Sequence, residues 1–146
     1  MGFQFAETMA GTVTWDDRPG VAHPFKFEVT AQAESTRAHV KDGKADLHGT
    51  IYVPPLTDAA EAHGTITIRP FGERIIRYEL VFTGDDGNEY ELIGQKDIRW
   101  TSPIHSWTHL PAEIRRAGGP RIATCDTRFD IRPANTWRFL RSFRPL

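Results

Sequence analysis

The chain has a single cysteine, Cys125, so no disulfide can form within it. No apolar run approaches the ~18–20 residues that carry a helix across a bilayer, and a membrane-spanning helix is not expected. An excess of one charge is missing too. Eighteen Lys and Arg stand against 19 Asp and Glu, a formal net charge of −1, whereas a general nucleic-acid binder carries a basic excess. The start, Met1-Gly2-Phe3-Gln4-Phe5, lacks the basic region and apolar core of a signal peptide. Ala6 stands where a myristoylation signal wants Ser or Thr. A cytoplasmic protein is the expectation. No serine sits in a Gly-x-Ser-x-Gly elbow, no glycine-rich turn joins a strand to a helix, and helices of crossover length are missing. Hydrolase-elbow and dinucleotide-fold chemistries are thereby disfavoured.

What the chain does have is alternation. Phe3, Phe5, Glu7, Met9, Gly11, Val13 and Trp15 fall at every second position, as do Tyr90, Leu92, Gly94, Lys96, Ile98 and Trp100. A period of two puts each set on one face of a β-strand. Two charges, Glu7 and Lys96, then point into the core, and charges leave water only when paired. The parity therefore predicts that Glu7 and Lys96 meet inside the protein, either as a buried ion pair that holds strand register or as an anchor or acid–base pair for a bound molecule.

Further strands are expected over Phe25–Ala33, Arg37–Val40, Ala45–Val53, Thr65–Phe71, Arg74–Thr83, Arg121–Ile131 and Thr136–Phe143, separated by turn formers such as Asp16-Asp17-Arg18-Pro19-Gly20, Asp42-Gly43 and Pro54-Pro55. Gly84-Asp85-Asp86-Gly87-Asn88 is the strongest turn. It predicts a hairpin with Tyr78, Leu80 and Phe82 opposite Tyr90, Leu92 and Gly94, faces inward. Asp58–Glu61 has capping-box spacing with room for one helical turn, and Pro111–Gly118 reads as a two-turn helix with Pro near its start and Gly at its end. The sum is one all-β domain over 1–146: a single antiparallel β-barrel, calycin- or lipocalin-like, of about 8–10 strands with at most one short helix.

No metal is expected. His105-x-x-x-His109 supplies two ligands where a site wants three or four, and His23, His39, His48 and His63 are scattered. Cys125, beside Asp126, is not an activated nucleophile. The arginines near the end (Arg128, Arg132, Arg138, Arg141, Arg144) alternate with aromatics and read as a solvated outer face. No cofactor is indicated.

The segments Phe5-Ala-Glu7-Thr-Met9-Ala-Gly11, Ala45-Asp-Leu-His-Gly49-Thr-Ile51, Arg77-Tyr78-Glu-Leu80, Asp86-Gly87-Asn-Glu-Tyr90-Glu-Leu92-Ile-Gly94-Gln-Lys96-Asp-Ile98 and Trp107-Thr108-His109-Leu110 span most of the chain. In that order they resemble an accessory β-domain of cholesterol-oxidase-like glucose–methanol–choline oxidoreductases and related standalone proteins. Glu7, Gly11, Gly94 and Lys96 carry the most recognisable positions. The resemblance implies a β-barrel module associated with sterol or lipid metabolism. It carries over neither flavin binding nor oxidation, since the flavin-binding half has no counterpart here, and the Trp107–Leu110 segment departs from the expected acidic, threonine-rich run.

The leading expectation is a non-enzymatic module that binds a small apolar, lipid- or sterol-like molecule in the barrel or at its mouth, with Glu7, Lys96, Tyr78, Tyr90, Trp100 and Trp137 as the ligand-binding residues. The second is an accessory module with a filled barrel, whose partner is another protein, such as a redox or lipid-metabolising enzyme, or a second copy of itself. The third is an enzyme that uses the Glu7/Lys96 pair.

Overall fold

The computed structural model describes residues 3–33, 43–69, 73–99, 101, 108–129 and 144–145. Its strands are β1 (Phe3–Trp15), β2 (Ala22–Ala33), β3 (Lys44–Val53), β4 (Thr57–Arg69), β5 (Ile75–Thr83), β6 (Glu89–Asp97), β7 (His109–Arg116), β8 (Arg121–Phe129) and the two-residue β9 (Arg144–Pro145). Each strand from β1 to β7 pairs antiparallel with the next, and β8 returns to pair with β1. The sheet is thus a closed, eight-stranded up-and-down barrel, the arrangement of lipocalins, and closure leaves no free edge. β9 adds to β1 at Phe3 and Gln4, beyond the stretch that β8 covers.

The alternation predicted from sequence is the barrel's inside and outside. Along β5 the buried residues are Ile76, Tyr78, Leu80 and Phe82, and along β6 Tyr90, Leu92, Gly94 and Lys96. The register between them sets Tyr78 opposite Gly94, Leu80 opposite Leu92 and Phe82 opposite Tyr90, as the hairpin reading requires. Met9, Val13, Phe27, Ile51, Leu92, Leu110 and Ile114 are wholly buried, and burying each such side chain contributes ~1.5–3 kcal/mol. The core is the barrel interior. At Gly11, Gly49 and Gly64 the backbone of the neighbouring strand comes too close for a side chain. A Cβ on Gly11 would lie 1.9 Å from the Asp126 carbonyl oxygen, and one on Gly64 would lie 1.8 Å from that of Glu79.

The two helical expectations are corrected. Residues 58–61 lie in β4, with Ala60 opposite Ile51 and Glu61 opposite Thr50. The ladder to β3 takes up Ala60 and Glu61, and across the irregularity that follows the Ala59 N–H donates to Thr57 Oγ1 at 3.2 Å. Residues 111–116 lie in β7, paired with β6 and β8 on its two sides. The deciding signal is that Leu110 and Ile114 are buried with Ala112 between them, an alternation the Pro and Gly punctuation obscured. Pro111 stands one place beyond the last β6–β7 pair, Gly94–Ala112, a position compatible with its missing N–H. β4 also begins at Thr57, eight residues before the arm expected from Thr65. The strands expected over 37–40 and 136–143, and Asp42, Trp100 and Trp137, lie outside the described residues.

The two ends of the barrel differ. At one end the strands are joined over 16–21, 54–56, 84–88 and 117–120. The third of these is held by Gly84 N–H donating to Asn88 O at 2.9 Å and Asn88 N–H donating to Asp86 Oδ1 at 2.9 Å, with Gly87 at φ 83°. At the other end, here the mouth, β2, β4 and β6 lead out to β3, β5 and β7 through 34–43, 70–74 and 98–108, and β8 is followed by 130–143.

Candidate functional site

Three inward residues near the mouth bring polar chemistry into the apolar interior. Glu7 comes from β1, Tyr78 from β5 and Lys96 from β6. In a ring of eight, β1 and β5 are diametrically opposed, so Tyr78 spans the barrel axis: its hydroxyl donates to Glu7 Oε1. Lys96 Nζ lies 4.0 Å from Glu7 Oε2 and 5.2 Å from the centroid of the Tyr78 ring. Phe27 packs edge-on against that ring at 6.0 Å. Glu7 is 9% exposed, Lys96 4% and Tyr78 1%. The Glu7–Lys96 meeting expected from parity is present, and Tyr78 joins it.

The magnitudes describe a cluster close to balance. Unit charges 4 Å apart attract by about 4 kcal/mol at an effective dielectric of 20, against a desolvation penalty of several kcal/mol for each ion. The hydrogen bond from Tyr78 and the cation–ring contact make up the difference. Burial pushes the Tyr78 phenol well above its ordinary range, and the Glu7 charge and the hydrogen bond to it push the same way. Tyr78 therefore keeps its proton and stands as a hydrogen-bond donor to Glu7.

Tyr90, also expected at the site, goes elsewhere, and Cys125 and His109 are engaged away from it. Tyr90 is inward but lies toward the opposite end, stacked on Phe82 with ring centroids 5.7 Å apart and its hydroxyl donating to Asp86 Oδ2 at 2.5 Å. Cys125 is a buried free thiol pushed up to about 12 by desolvation, so burial, rather than its neighbour Asp126, makes it inert. His109 pairs with Asp126 at 2.6 Å across β7 and β8. Among the described residues no three His, Cys, Asp or Glu side chains group to hold a metal, and no helix is long and apolar enough to cross a membrane.

Sequence reasoning missed a cleft of 410 Å³ at the mouth, lined by Glu73, Arg74, Asp97, Ile98, Arg99 and Thr101. It joins the start of β5 to the end of β6. Ile98 belongs both to its wall and to the core, and lies two positions from Lys96 along the chain. Only the meeting of two strand ends creates it, so no local motif announces it.

No protein-family model matches the chain, and no curated protein matches it. Among solved structures it is similar to a redesigned beta barrel, b11L5F_LGL, at 11% identity and a TM-score of 0.48, over 84% of this chain and 88% of that one.

Proposed function

We propose that the barrel is a non-enzymatic binding module for a small molecule with an apolar, lipid- or sterol-like body, held at the mouth above the Glu7–Tyr78–Lys96 cluster. The observation that carries this reading is the cluster itself: a polar group spanning the barrel axis at the end from which the long connections leave. Tyr78 occupies the axis at that level, so the guest sits above the cluster and not deep in the barrel. Catalysis by the pair is disfavoured, because each charged partner already engages the other and Tyr78 keeps its proton. The expected cytoplasmic location suits a free thiol such as Cys125, and the resemblance to an accessory domain of sterol-oxidising enzymes points to the same class of ligand.

The alternative is a protein-docking module, for a redox or lipid-metabolising enzyme or a second copy. Among the described residues its apolar surface is small, with Val21 the exposed large hydrophobic. Native mass spectrometry of the purified protein separates the readings by reporting bound small molecules and subunit number together. Saturable binding of a fluorescent sterol or of Nile red at micromolar concentration or below, weakened by Ile98→Asp, is the expected result. Absence of binding across a broad lipid panel, with a stable dimer or protein complex instead, would sink it.

A further inference from the structure

Two histidines that are scattered along the chain meet in the sheet. His48 of β3 and His63 of β4 stand directly opposite each other in the antiparallel ladder, both exposed on the outer face of the barrel. Cβ atoms of such a pair are ~4.5–5.5 Å apart, so imidazoles rooted there can turn their nitrogens onto one point. The same face carries Asp46 two residues before His48 and Glu61 two residues before His63, both exposed. Because the strands run in opposite directions, the two acids flank the histidines from opposite sides, Asp46 across from Thr65 and Glu61 across from Thr50. Asp46-x-His48 and Glu61-x-His63 are therefore related by a local two-fold axis.

Among the described residues none of these four side chains has a hydrogen-bond or ion-pair partner. The other cross-strand neighbours of the histidines, Thr30 on β2 and Val81 on β5, carry no charge. The backbone beneath is held from both sides, β3 between β2 and β4, and β4 between β3 and β5. A pair on such strands is fixed in separation before anything binds. As the side chains stand, no three of them group around one point, so the chelate is the two imidazoles, with water in the remaining positions.

Imidazole suits late first-row divalent ions, and the tetragonal geometry of copper(II) and nickel(II) accepts two adjacent nitrogens beside water. Magnesium and calcium want six or more oxygens and find too few here. The flanking carboxylates add negative charge beside the pair, which favours a cation and repels none of its ligands. We infer that His48 and His63 form a surface chelate for a late first-row divalent cation, copper(II) in preference to nickel(II) or zinc(II). The chelate lies on the outer wall and is independent of the binding function proposed above.

The test titrates the full chain with copper(II), nickel(II), zinc(II) and magnesium(II) chlorides in a non-coordinating buffer at about pH 7.5, where metal-binding imidazole is neutral. Calorimetry reads affinity and stoichiometry, and electron paramagnetic resonance counts the nitrogens on copper. The expected result is one tight equivalent of copper(II), weaker nickel(II) and zinc(II), no magnesium(II), and two imidazole nitrogens in the copper spectrum. Loss of an outer-shell partner alone weakens a metal site ~10–100-fold. His48→Gln and His63→Gln each remove a ligand itself, so each should weaken copper(II) by at least about tenfold and leave one nitrogen. Both positions are exposed, and circular dichroism should show both variants folded. Copper(II) binding undiminished in either variant, a parent spectrum with fewer than two imidazole nitrogens, or magnesium(II) competing on equal terms overturns the chelate. So does a failure of all three late metals to bind.

Discussion

Substitutions at the Glu7–Tyr78–Lys96 cluster should have unequal costs, and the inequality follows from who is left alone. Lys96→Met removes one charge, but Glu7 keeps the Tyr78 hydroxyl as a donor. Glu7→Leu strands two groups at once: the Lys96 ammonium, 4% exposed, and the phenol of Tyr78, 1% exposed. Breaking a buried pair costs ~3–5 kcal/mol, and an orphaned buried hydroxyl adds ~1–3 kcal/mol. Glu7→Leu should therefore be the worse of the two. At ~2.1 cal/mol/K per residue over 146 residues, the ~3–5 kcal/mol expected for Lys96→Met lowers the melting temperature by roughly 10–16 °C. The double variant Glu7→Leu/Lys96→Met should recover the lysine's share, and adding Tyr78→Phe should recover most of the rest. Urea unfolding followed by circular dichroism reads all four chains. Single variants within ~0.5 kcal/mol of the parent, as at the surface, or a double variant no more stable than Glu7→Leu, would show that the three groups do not form one buried cluster.

Gly64→Ala should destabilise by more than the ~1–3 kcal/mol usual for overpacking, since its Cβ would meet backbone at 1.8 Å; Gly20→Ala, with nothing within 4 Å of its Cβ, should cost only the strain of its positive φ, and chemical denaturation compares the two. The Cys125 thiol, buried and pushed up to about 12, should not react with a disulfide reagent in the native protein and should react fully once the protein is unfolded. Asp86 is held below its ordinary 3.8 by the hydrogen bond from Tyr90 and that from the Asn88 N–H. A depressed folded value stabilises above the unfolded one and is lost as pH falls through the folded one. Asp86→Asn should thus be less stable than the parent at neutral pH, with the gap closing below pH 3.8 in a pH series of melting temperatures.

How much of this was legible in the chain depends on the range of the interactions involved. The β5–β6 register was readable because the Gly84–Asn88 turn joins neighbours, and a period of two assigns their faces without further information. Glu7 and Lys96 were readable as a pair for a different reason: an inward charge needs an opposite one, and the apolar faces offered one of each. Tyr78 reads from sequence as an inward aromatic and a ligand-binding residue, with nothing to mark it as the partner of Glu7. Its bond to Glu7 links strands opposite each other in the ring, which depends on the closure of the barrel and not on any spacing along the chain.

The misreadings were local signals overruled by pairing. Asp58–Glu61 and Pro111–Gly118 have the punctuation of helices, but Ala60 and Glu61 pair with β3 and residues 112–116 pair with β6 and β8, and edge closure outweighs capping chemistry worth about 1 kcal/mol. The sequence by itself determined the class, the inward faces and the presence of a buried charge pair, because alternation and charge neutrality act over a few residues or over the whole core at once. Only the tertiary structure decided the strand count, the third member of the cluster and the cleft under Arg74. Those depend on which strand ends the closed sheet brings together, and strand ends far apart in sequence meet only when the barrel closes.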